Sequence, residues 1–168
     1  MARTDSVKEA EGIMAIPGAT DNIDSATFEQ ILEMDDDEEE REFSKSIVYD
    51  FFGQAESTFQ KMNKELCIYT HTQREATADT HHSENKDLKT LSELGHFLKG
   101  SSATLGLTKV KDSCEKIQHY GQKKDETGTK DLADDDEALG KLKVTIKEAQ
   151  EEFVTVEKVL RKFYHDEG

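Results

Sequence analysis

The chain has 168 residues, 37 acidic and 22 basic, and its formal net charge at pH 7 is -15. Such an acidic surface repels nucleic-acid phosphates and anionic membranes, so we expect neither as a partner. A membrane-spanning helix needs about 20 consecutive apolar residues, and the sequence has neither such a run nor an apolar signal-peptide core after Met1. We therefore expect a soluble intracellular protein with one folded domain.

The first 34 residues divide into two predicted parts. Residues 1–22 have too little hydrophobic periodicity for a stable element, so we expect a flexible tail. Residues 23–34 have the pattern of a short helix, which Asp24 or Ser25 can cap. One apolar edge of this helix contains Phe28 and Leu32. The second edge contains Thr27, Ile31 and Met34. Either the bundle buries both edges or the second edge contacts a partner.

A long amphipathic helix is predicted next, ending near Cys67. Its apolar residues recur at steps of three and four, at Phe43, Ile47, Phe51, Ala55, Phe59, Met62 and Leu66. Residues 68–86 lack a hydrophobic period, so we predict a flexible loop there. The loop contains three histidines without a supporting cysteine or carboxylate pattern, so we interpret them as solvated and predict no metal site.

Three further helices complete the pattern. One is predicted over 87–105 with Gly106 as its stop, and the next over 108–121, where Cys114 is expected to be buried. The last repeats apolar residues without a break, at Leu139, Leu142, Ile146, Ala149, Phe153, Val156, Leu160 and Phe163. We predict an all-α, up-down-up-down four-helix bundle with a short additional N-terminal helix, forming one domain over 23–168. A coiled-coil dimer through the last helix is the alternative.

His96 is the most informative residue of the helix over 87–105. At about 100° per residue, five leucines form one stripe, and His96 lies nearly opposite to it on a face shared with Lys99 and Gly100. The stripe contains Leu88, Leu91, Leu94, Leu98 and Leu105. Glycine inside a helix costs about 1 kcal/mol relative to alanine, so Gly100 suggests close approach of another molecule. An exposed histidine, a lysine one turn away and open space suit a phosphorylated imidazole.

The segment from His96 to Gly106, His-Phe-Leu-Lys-Gly-Ser-Ser-Ala-Thr-Leu-Gly, resembles the signature of histidine-containing phosphotransfer (HPt) proteins, in particular those of fungi. Other similar pieces lie at 33–37, 43–45, 54–55 and 114–118. The resemblance implies a bundle whose histidine accepts a phosphoryl group from a receiver-domain aspartate of a hybrid sensor histidine kinase. The histidine then passes that group to the receiver aspartate of a response regulator.

The resemblance also implies residue roles. His96 would be the phosphoacceptor, Lys99 would hold the phosphoryl oxygens, Gly100 would leave room for the receiver, and Ser101 and Gln118 would support the ring. Residues expected to meet the receiver are Thr27, Ile31, Met34, Gln54 and Phe97. No cofactor is expected on this chain, since the receiver would bring Mg²⁺. We expect a monomer in the cytoplasm and nucleus, and no autonomous kinase activity, since no glycine-rich nucleotide loop is present.

Two departures and two alternatives remain. Where the family often has an arginine after Gly121, this chain has Gln122 and Lys123, and the loop over 68–86 is longer than the family requires. A di-iron site would use the Glu93-x-x-His96 motif, but such sites need two of these motifs directed into the bundle. A non-catalytic helical adaptor that binds other helices through its last helix is the other alternative.

Overall fold

The computed structural model describes residues 12–37, 39–74 and 81–166, with the side chains of 69–74 and 81–87 excepted. Its helices are α1 Ala19–Asn22, α2 Ser25–Leu32, α3 Glu42–Arg74, α4 His81–Thr104, α5 Thr108–Gly121 and α6 Asp135–Phe163. The long helices α3 to α6 form a bundle in which α3 and α5 each contact both α4 and α6. The predicted all-α four-helix bundle with a short N-terminal helix, here α2, is confirmed.

Neighbouring helices of the bundle are antiparallel. Near the start of α3, the Tyr49 hydroxyl donates a 2.6 Å hydrogen bond to Asp166 Oδ2, just beyond the end of α6. At the end of α5, a Cβ placed on Gly121 would lie 2.7 Å from the carbonyl oxygen of Leu88, which is in the first half of α4. The order is therefore up-down-up-down.

The core is formed by the apolar faces that the sequence pattern specifies. The ring of Phe153 on α6 lies 5.8–6.2 Å from the rings of Phe51, Phe52 and Phe59 on α3, at angles between 46° and 71°. Seven of the eight periodic residues of α6 are buried, and Phe163 is half-buried. Because this chain's own helices cover that face, the apolar repeat of α6 is satisfied without a second copy.

Helix α2 lies across one end of the bundle. The amide of Asp24 donates a 2.8 Å hydrogen bond to the carbonyl of Gly106, in the turn between α4 and α5. Gly106 has a φ of 72°, a left-handed conformation that glycine adopts without a Cβ clash. The ring of Phe28 packs edge-on against Phe163 at 5.8 Å. This capped end lies about 12 Å along α4 from His96, at about 1.5 Å per residue.

The prediction of a flexible tail over 1–22 needs correction where the structure describes it. Ile13 is 1% exposed and Ala19 is fully buried, and both belong to the core of the bundle. Helix α1 contacts α5 and α6. The short apolar run Ile13-Met14-Ala15-Ile16 is interrupted by Pro17 and Gly18, which is why the sequence pattern missed this segment. Residues 1–11 lie outside the described residues.

The predicted loop over 68–86 also needs correction where the structure describes its backbone. Helix α3 continues to Arg74 and α4 already begins at His81, so the backbone is helical on both sides of residues 75–80. Each residue added to an existing helix gains a hydrogen bond, so a helix can extend beyond the core without an apolar face. Residues 75–80 lie outside the described residues, as do the side chains of the loop's histidines.

Candidate functional site

His96 is exposed on α4, on the side away from the core. Four of the five leucines of the predicted stripe are buried and Leu94 is half-buried. Burying the stripe fixes the rotation of the helix, and that rotation directs position 96 to solvent. The predicted exposure of His96 is therefore confirmed.

Helix α4 packs closely on α5 at the residue before His96. A Cβ on Gly95 would lie 2.9 Å from the backbone nitrogen of Gln118 and 3.0 Å from the carbonyl oxygen of Cys114. The hydroxyl of Ser92 donates a 2.9 Å hydrogen bond to the Gln118 carbonyl. Glycine at position 95 therefore lets the backbone of α5 approach the turn of α4 that carries the histidine.

Lys99, one turn after His96, forms an ion pair with α5. Its Nζ donates a 2.9 Å hydrogen bond to Glu115 Oε1. This hydrogen bond is the main reason that the pKa of Glu115 lies below its usual range, with further lowering from the charges of Lys99, His119 and Lys111. The ammonium group thus lies beside α5, within one helical turn of the histidine.

Gly100 leaves the face of α4 open after His96. Among the described residues, a Cβ at this position would meet no atom within 4 Å. Another molecule can therefore approach the helix backbone here. The predicted open space at Gly100 agrees with this geometry.

Ser101 does not make the contact expected of it. Its hydroxyl donates a 3.3 Å hydrogen bond to the carbonyl oxygen of Phe97, four residues earlier on the same helix. At about 100° per residue, Ser101 lies roughly 140° around the helix from His96. The predicted support of the imidazole by Ser101 is therefore not supported by this geometry, because the side chain projects from a different face.

Gln118 and Cys114 lie on the face of α5 that packs against α4. The Gln118 side-chain oxygen is buried and has no hydrogen-bond partner in the described part of the chain. An unpaired acceptor beside the histidine turn is consistent with the predicted support of the imidazole, through an N–H of the ring. Burial raises the pKa of the Cys114 thiol to about 12, so this thiol stays protonated and unreactive.

Two large apolar side chains predicted to meet a partner are exposed. Phe97, next to His96, is 51% exposed, and Met34, after the end of α2, is 60% exposed. Their exposure leaves both side chains free to contact another molecule. Their contact with a receiver stays a prediction.

Gln54 lies in a groove between α3 and α4. The groove has a volume of about 270 Å³ and also contains Asp50, Ser101 and Thr104, with Ile47, Phe51 and Leu105 at its base. Gln54 itself is exposed. The structure thus brings Gln54 together with Ser101 on a surface adjoining the exposed Phe97 turn.

The two remaining predicted contact residues are less available. Ile31 is 6% exposed and belongs to the core, so it offers almost no surface to a partner, and the prediction for this residue needs correction. Thr27 is half-buried, and its hydroxyl donates a 2.6 Å hydrogen bond to Asp24 Oδ2. The bundle buries Ile31 on the second edge of α2. Met34 stays exposed because it lies beyond the end of that helix.

The residue directly after Gly121 is uncharged, and the next one pairs with the start of α6. Gln122 is exposed and uncharged, and Lys123 Nζ lies 2.8 Å from Asp135 Oδ1 at the start of α6.

The di-iron alternative requires Glu93 and His96 to face the bundle interior. Both are exposed. In the part of the chain that the structure describes, no group of three or more histidine, cysteine or carboxylate side chains could hold a metal ion. The geometry gives the Glu93-x-x-His96 motif no support as a ligand set.

Comparison with known proteins identifies the fold family. The model of the Hpt domain matches residues 46–153, which is more than half of the chain and includes the whole of α4 and α5. The chain belongs to the Hpt domain family. Among curated proteins, this Hpt chain is 49% identical over 117 residues to multistep phosphorelay regulator 1 of Schizosaccharomyces pombe, covering 70% of this chain and 34% of that protein.

A second relative is the phosphorelay intermediate protein YPD1 of Candida albicans, 45% identical over 101 residues, covering 60% of this chain and 45% of that protein. The Hpt chain thus spans less than half the length of these curated relatives. Among solved structures it is similar to the yeast phosphorelay protein YPD1, with a TM-score of 0.64 and 27% identity over 87% of this chain and 96% of that one.

The co-crystal structure of Saccharomyces cerevisiae Ypd1 with the receiver domain of its downstream response regulator Ssk1 is similarly close. Its TM-score is 0.65, with 28% identity over 87% of the Hpt chain and 96% of that chain. Separately, none of the helices within the described residues is long and apolar enough to cross a membrane.

Glu115 is a site residue for which the sequence analysis gave no role. The available signal was its spacing: Glu115 precedes Gln118 by three residues and therefore shares its face of α5. The register of α4 against α5 decides that this face meets Lys99, and side-chain periodicity does not specify that register.

Proposed function

We propose that this Hpt protein is a phosphorelay carrier. It accepts a phosphoryl group on His96 from the receiver-domain aspartate of a hybrid sensor histidine kinase and passes it to the receiver aspartate of a response regulator. The observation that carries the proposal is an exposed histidine on α4, with open space at Gly100, in a chain of the Hpt family. The yeast Ypd1 structure with the Ssk1 receiver domain supports the choice of partner.

The chemistry needs a nucleophile and little else from this chain. The lone pair of a neutral imidazole nitrogen of His96 attacks the phosphorus of the receiver's aspartyl phosphate. A P–N bond forms, the P–O bond to the aspartate breaks, and its electron pair leaves on the carboxylate. The second receiver reverses the step: its carboxylate attacks phosphorus and the electron pair of the P–N bond returns to His96.

Three features of this chain assist the transfer. Phosphoryl transfer depends mainly on positioning and charge stabilisation. The ammonium of Lys99 can hold the phosphoryl oxygens in position, the unpaired oxygen of Gln118 can accept a hydrogen bond from the imidazole, and Gly100 admits the incoming aspartate. Mg²⁺ would be bound by the receiver and would neutralise phosphoryl charge there.

The receiver would dock around the histidine turn. Phe97 and Met34 provide exposed apolar surface, and the groove with Gln54 and Ser101 provides polar groups at its rim. Thr27 can contribute from the half-buried side of α2. An apolar centre with a polar rim is the usual anatomy of a specific protein interface. Both receivers would use this surface in turn, and a monomer suffices for the function.

The test is incubation of the full chain with a phosphorylated receiver domain and Mg²⁺, followed by mapping of acid-labile, base-stable phosphate. We expect label on His96 that passes to a second receiver, and none on His96→Gln. His165→Gln is the matched control, because His165 is exposed beyond the end of α6. Label on His96→Gln, or none on the wild type from several competent receivers, would contradict the proposal. Unfolding of His96→Gln would contradict the exposed placement.

A helical adaptor is the second candidate, favoured by the exposed Val144 and Val154 on α6. In that case a helical partner would bind without phosphate. Partner binding that persists in His96→Gln fits both functions, so only the loss of phosphoryl transfer separates them. Concentration-dependent dimerisation through α6, measured by sedimentation, together with absence of label on His96, would favour the adaptor.

We also propose that the protein occurs in both cytoplasm and nucleus, as its resemblance to the fungal HPt proteins implies. A fluorescent fusion of the full chain should therefore appear in both. Strict exclusion from the nucleus would contradict this part of the proposal.

A further inference from the structure

The ion pair between Lys99 and Glu115 joins α4, which carries His96, to α5. Both side chains are partly exposed, at 32% and 42%, so the ammonium is accessible from solvent. Lys99 is one turn from His96 on α4, and Glu115 is one turn from Gln118 on α5. Lys99 therefore already has an anionic partner before any phosphoryl group arrives.

The carboxylate and a phosphoryl group on His96 would compete for the same cation. The lowered pKa of Glu115, caused first by the hydrogen bond from Lys99, keeps its carboxylate ionised at neutral pH. A phosphoryl group carries about -1.5 to -2 charges near pH 7. The permanent charge of Glu115 would therefore draw Lys99 towards α5 and away from the phosphoryl oxygens.

We propose that Glu115 is a positioning residue that holds Lys99 against α5 and thereby limits how strongly the protein stabilises phosphohistidine at position 96. The inference rests on the proposed function of His96. Its consequence is a carrier whose phosphoryl group stays easy to pass on, because the cation that would retain it is shared.

The rate of phosphohistidine hydrolysis measures how strongly Lys99 holds the phosphoryl group rather than Glu115. A water oxygen attacks phosphorus, the N–P bond breaks, its electron pair returns to the imidazole, and inorganic phosphate leaves. The bound phosphoryl group carries about -1.5 to -2 charges, and the loose transition state approaches metaphosphate, whose three oxygens share only about -1. A cation held on those oxygens therefore stabilises the ground state more and slows hydrolysis. Replacing Glu115 by an uncharged residue should lengthen the lifetime.

The experiment labels the full chain with phosphoramidate, which phosphorylates histidine without any receiver, and follows the decay of phosphohistidine by ³¹P NMR. The variants are Glu115→Gln, Lys99→Ala and the double variant. Gln keeps an oxygen that can accept from Lys99 while removing the charge. Asp112→Asn is the matched control, since it removes one negative charge from an exposed position of the same helix, beside Lys111.

We expect Glu115→Gln to lengthen the lifetime about two- to fivefold, the range for partly exposed ion pairs, and Asp112→Asn to leave it unchanged. In the Lys99→Ala background, Glu115→Gln should have no further effect. An equal gain in that background would show that Glu115 acts by its charge alone, and an unchanged lifetime in Glu115→Gln would show that it does not act; either overturns the inference.

Failure of the inference and failure of the proposed function are distinguishable. If phosphoramidate labels His96 and the variants decay alike, only the role of Glu115 is overturned. If the wild type takes no label from either phosphoramidate or a phosphorylated receiver, the proposed function is overturned and the inference with it. Circular dichroism of each variant shows whether the bundle is intact, so a lifetime change in a folded variant reports the site.

Discussion

Gly95 packs against the backbone of Gln118 so closely that a Cβ at position 95 would lie 2.9 Å from the Gln118 nitrogen. Real Cβ atoms do not approach backbone atoms to that distance, so α4 or α5 would have to shift. The contact occurs at the residue immediately before His96. A change at position 95 would therefore affect both the stability of the bundle and the position of His96.

Gly95→Ala should destabilise the bundle. Alanine gains about 1 kcal/mol of helix propensity over glycine, but overpacking against backbone costs typically about 1–3 kcal/mol, so we expect a net loss of about 1 kcal/mol. Urea unfolding at fixed pH measures it. Gly53→Ala is the control, because the described residues place no atom within 4 Å of a Cβ there. A more stable Gly95→Ala would contradict the close packing of α4 on α5.

Gly100→Gln should raise the stability of the bundle slightly, by less than about 1 kcal/mol from helix propensity, and weaken receiver docking. The space at position 100 is open in the described structure, so a side chain fits the free protein but occupies the approach to His96. We expect about a tenfold loss of receiver affinity, equivalent to about 1.4 kcal/mol, by titration calorimetry. Gly140→Gln on α6 is the matched control, since that glycine is also exposed and uncrowded. Equal receiver affinity of the two variants would contradict a close approach of the receiver at Gly100.

Helix faces could be predicted from sequence because periodicity encodes them. The buried leucines of α4 and the exposure of His96 follow from the angle per residue, and the burial of Cys114 follows from the pattern of α5. The open position at Gly100 followed from the cost of glycine in a helix. These features depend on one helix at a time.

Features that depend on contacts between distant segments were not predictable in the same way. Ile13 packs on the bundle without any local pattern, and Ile31 is buried because α2 lies flat across the bundle end. The register of α4 against α5 pairs Lys99 with Glu115. Ser101 is a different case, because its separation from His96 follows from helix geometry, and the family resemblance outweighed that geometry in the sequence analysis.

Glu152 on α6 should make the stability of the bundle depend on pH. Burial raises its pKa, although the hydroxyl of Ser113 donates a 2.7 Å hydrogen bond to its Oε2 and lowers it in part. The folded state therefore holds the proton more tightly than the unfolded state. This favourable contribution is present at low pH and is lost as pH rises through the unfolded and then the folded pKa.

Glu152→Gln should abolish that contribution to the pH dependence. Gln can still accept from Ser113 but does not ionise, so the variant should gain stability relative to wild type as pH rises from the acid side to neutral. Urea unfolding of both proteins across this range measures the difference. Glu151→Gln, at an exposed neighbouring position, is the control. A constant stability difference between Glu152→Gln and wild type would contradict the raised pKa.

Gln118→Met should separate the stability of the bundle from its function. The Gln118 side-chain oxygen is buried without a partner in the described structure, and an unsatisfied buried acceptor costs about 1–3 kcal/mol. Methionine has a similar volume and no such acceptor, so we expect unchanged or higher stability, by up to about 1 kcal/mol.

Transfer from a phosphorylated receiver to Gln118→Met should slow about tenfold, because the imidazole loses the group that would hold its N–H in place. Stopped-flow or quench measurements of transfer, beside thermal unfolding, give both values. Transfer at the wild-type rate in a folded variant would show that the Gln118 side chain does not orient the ring.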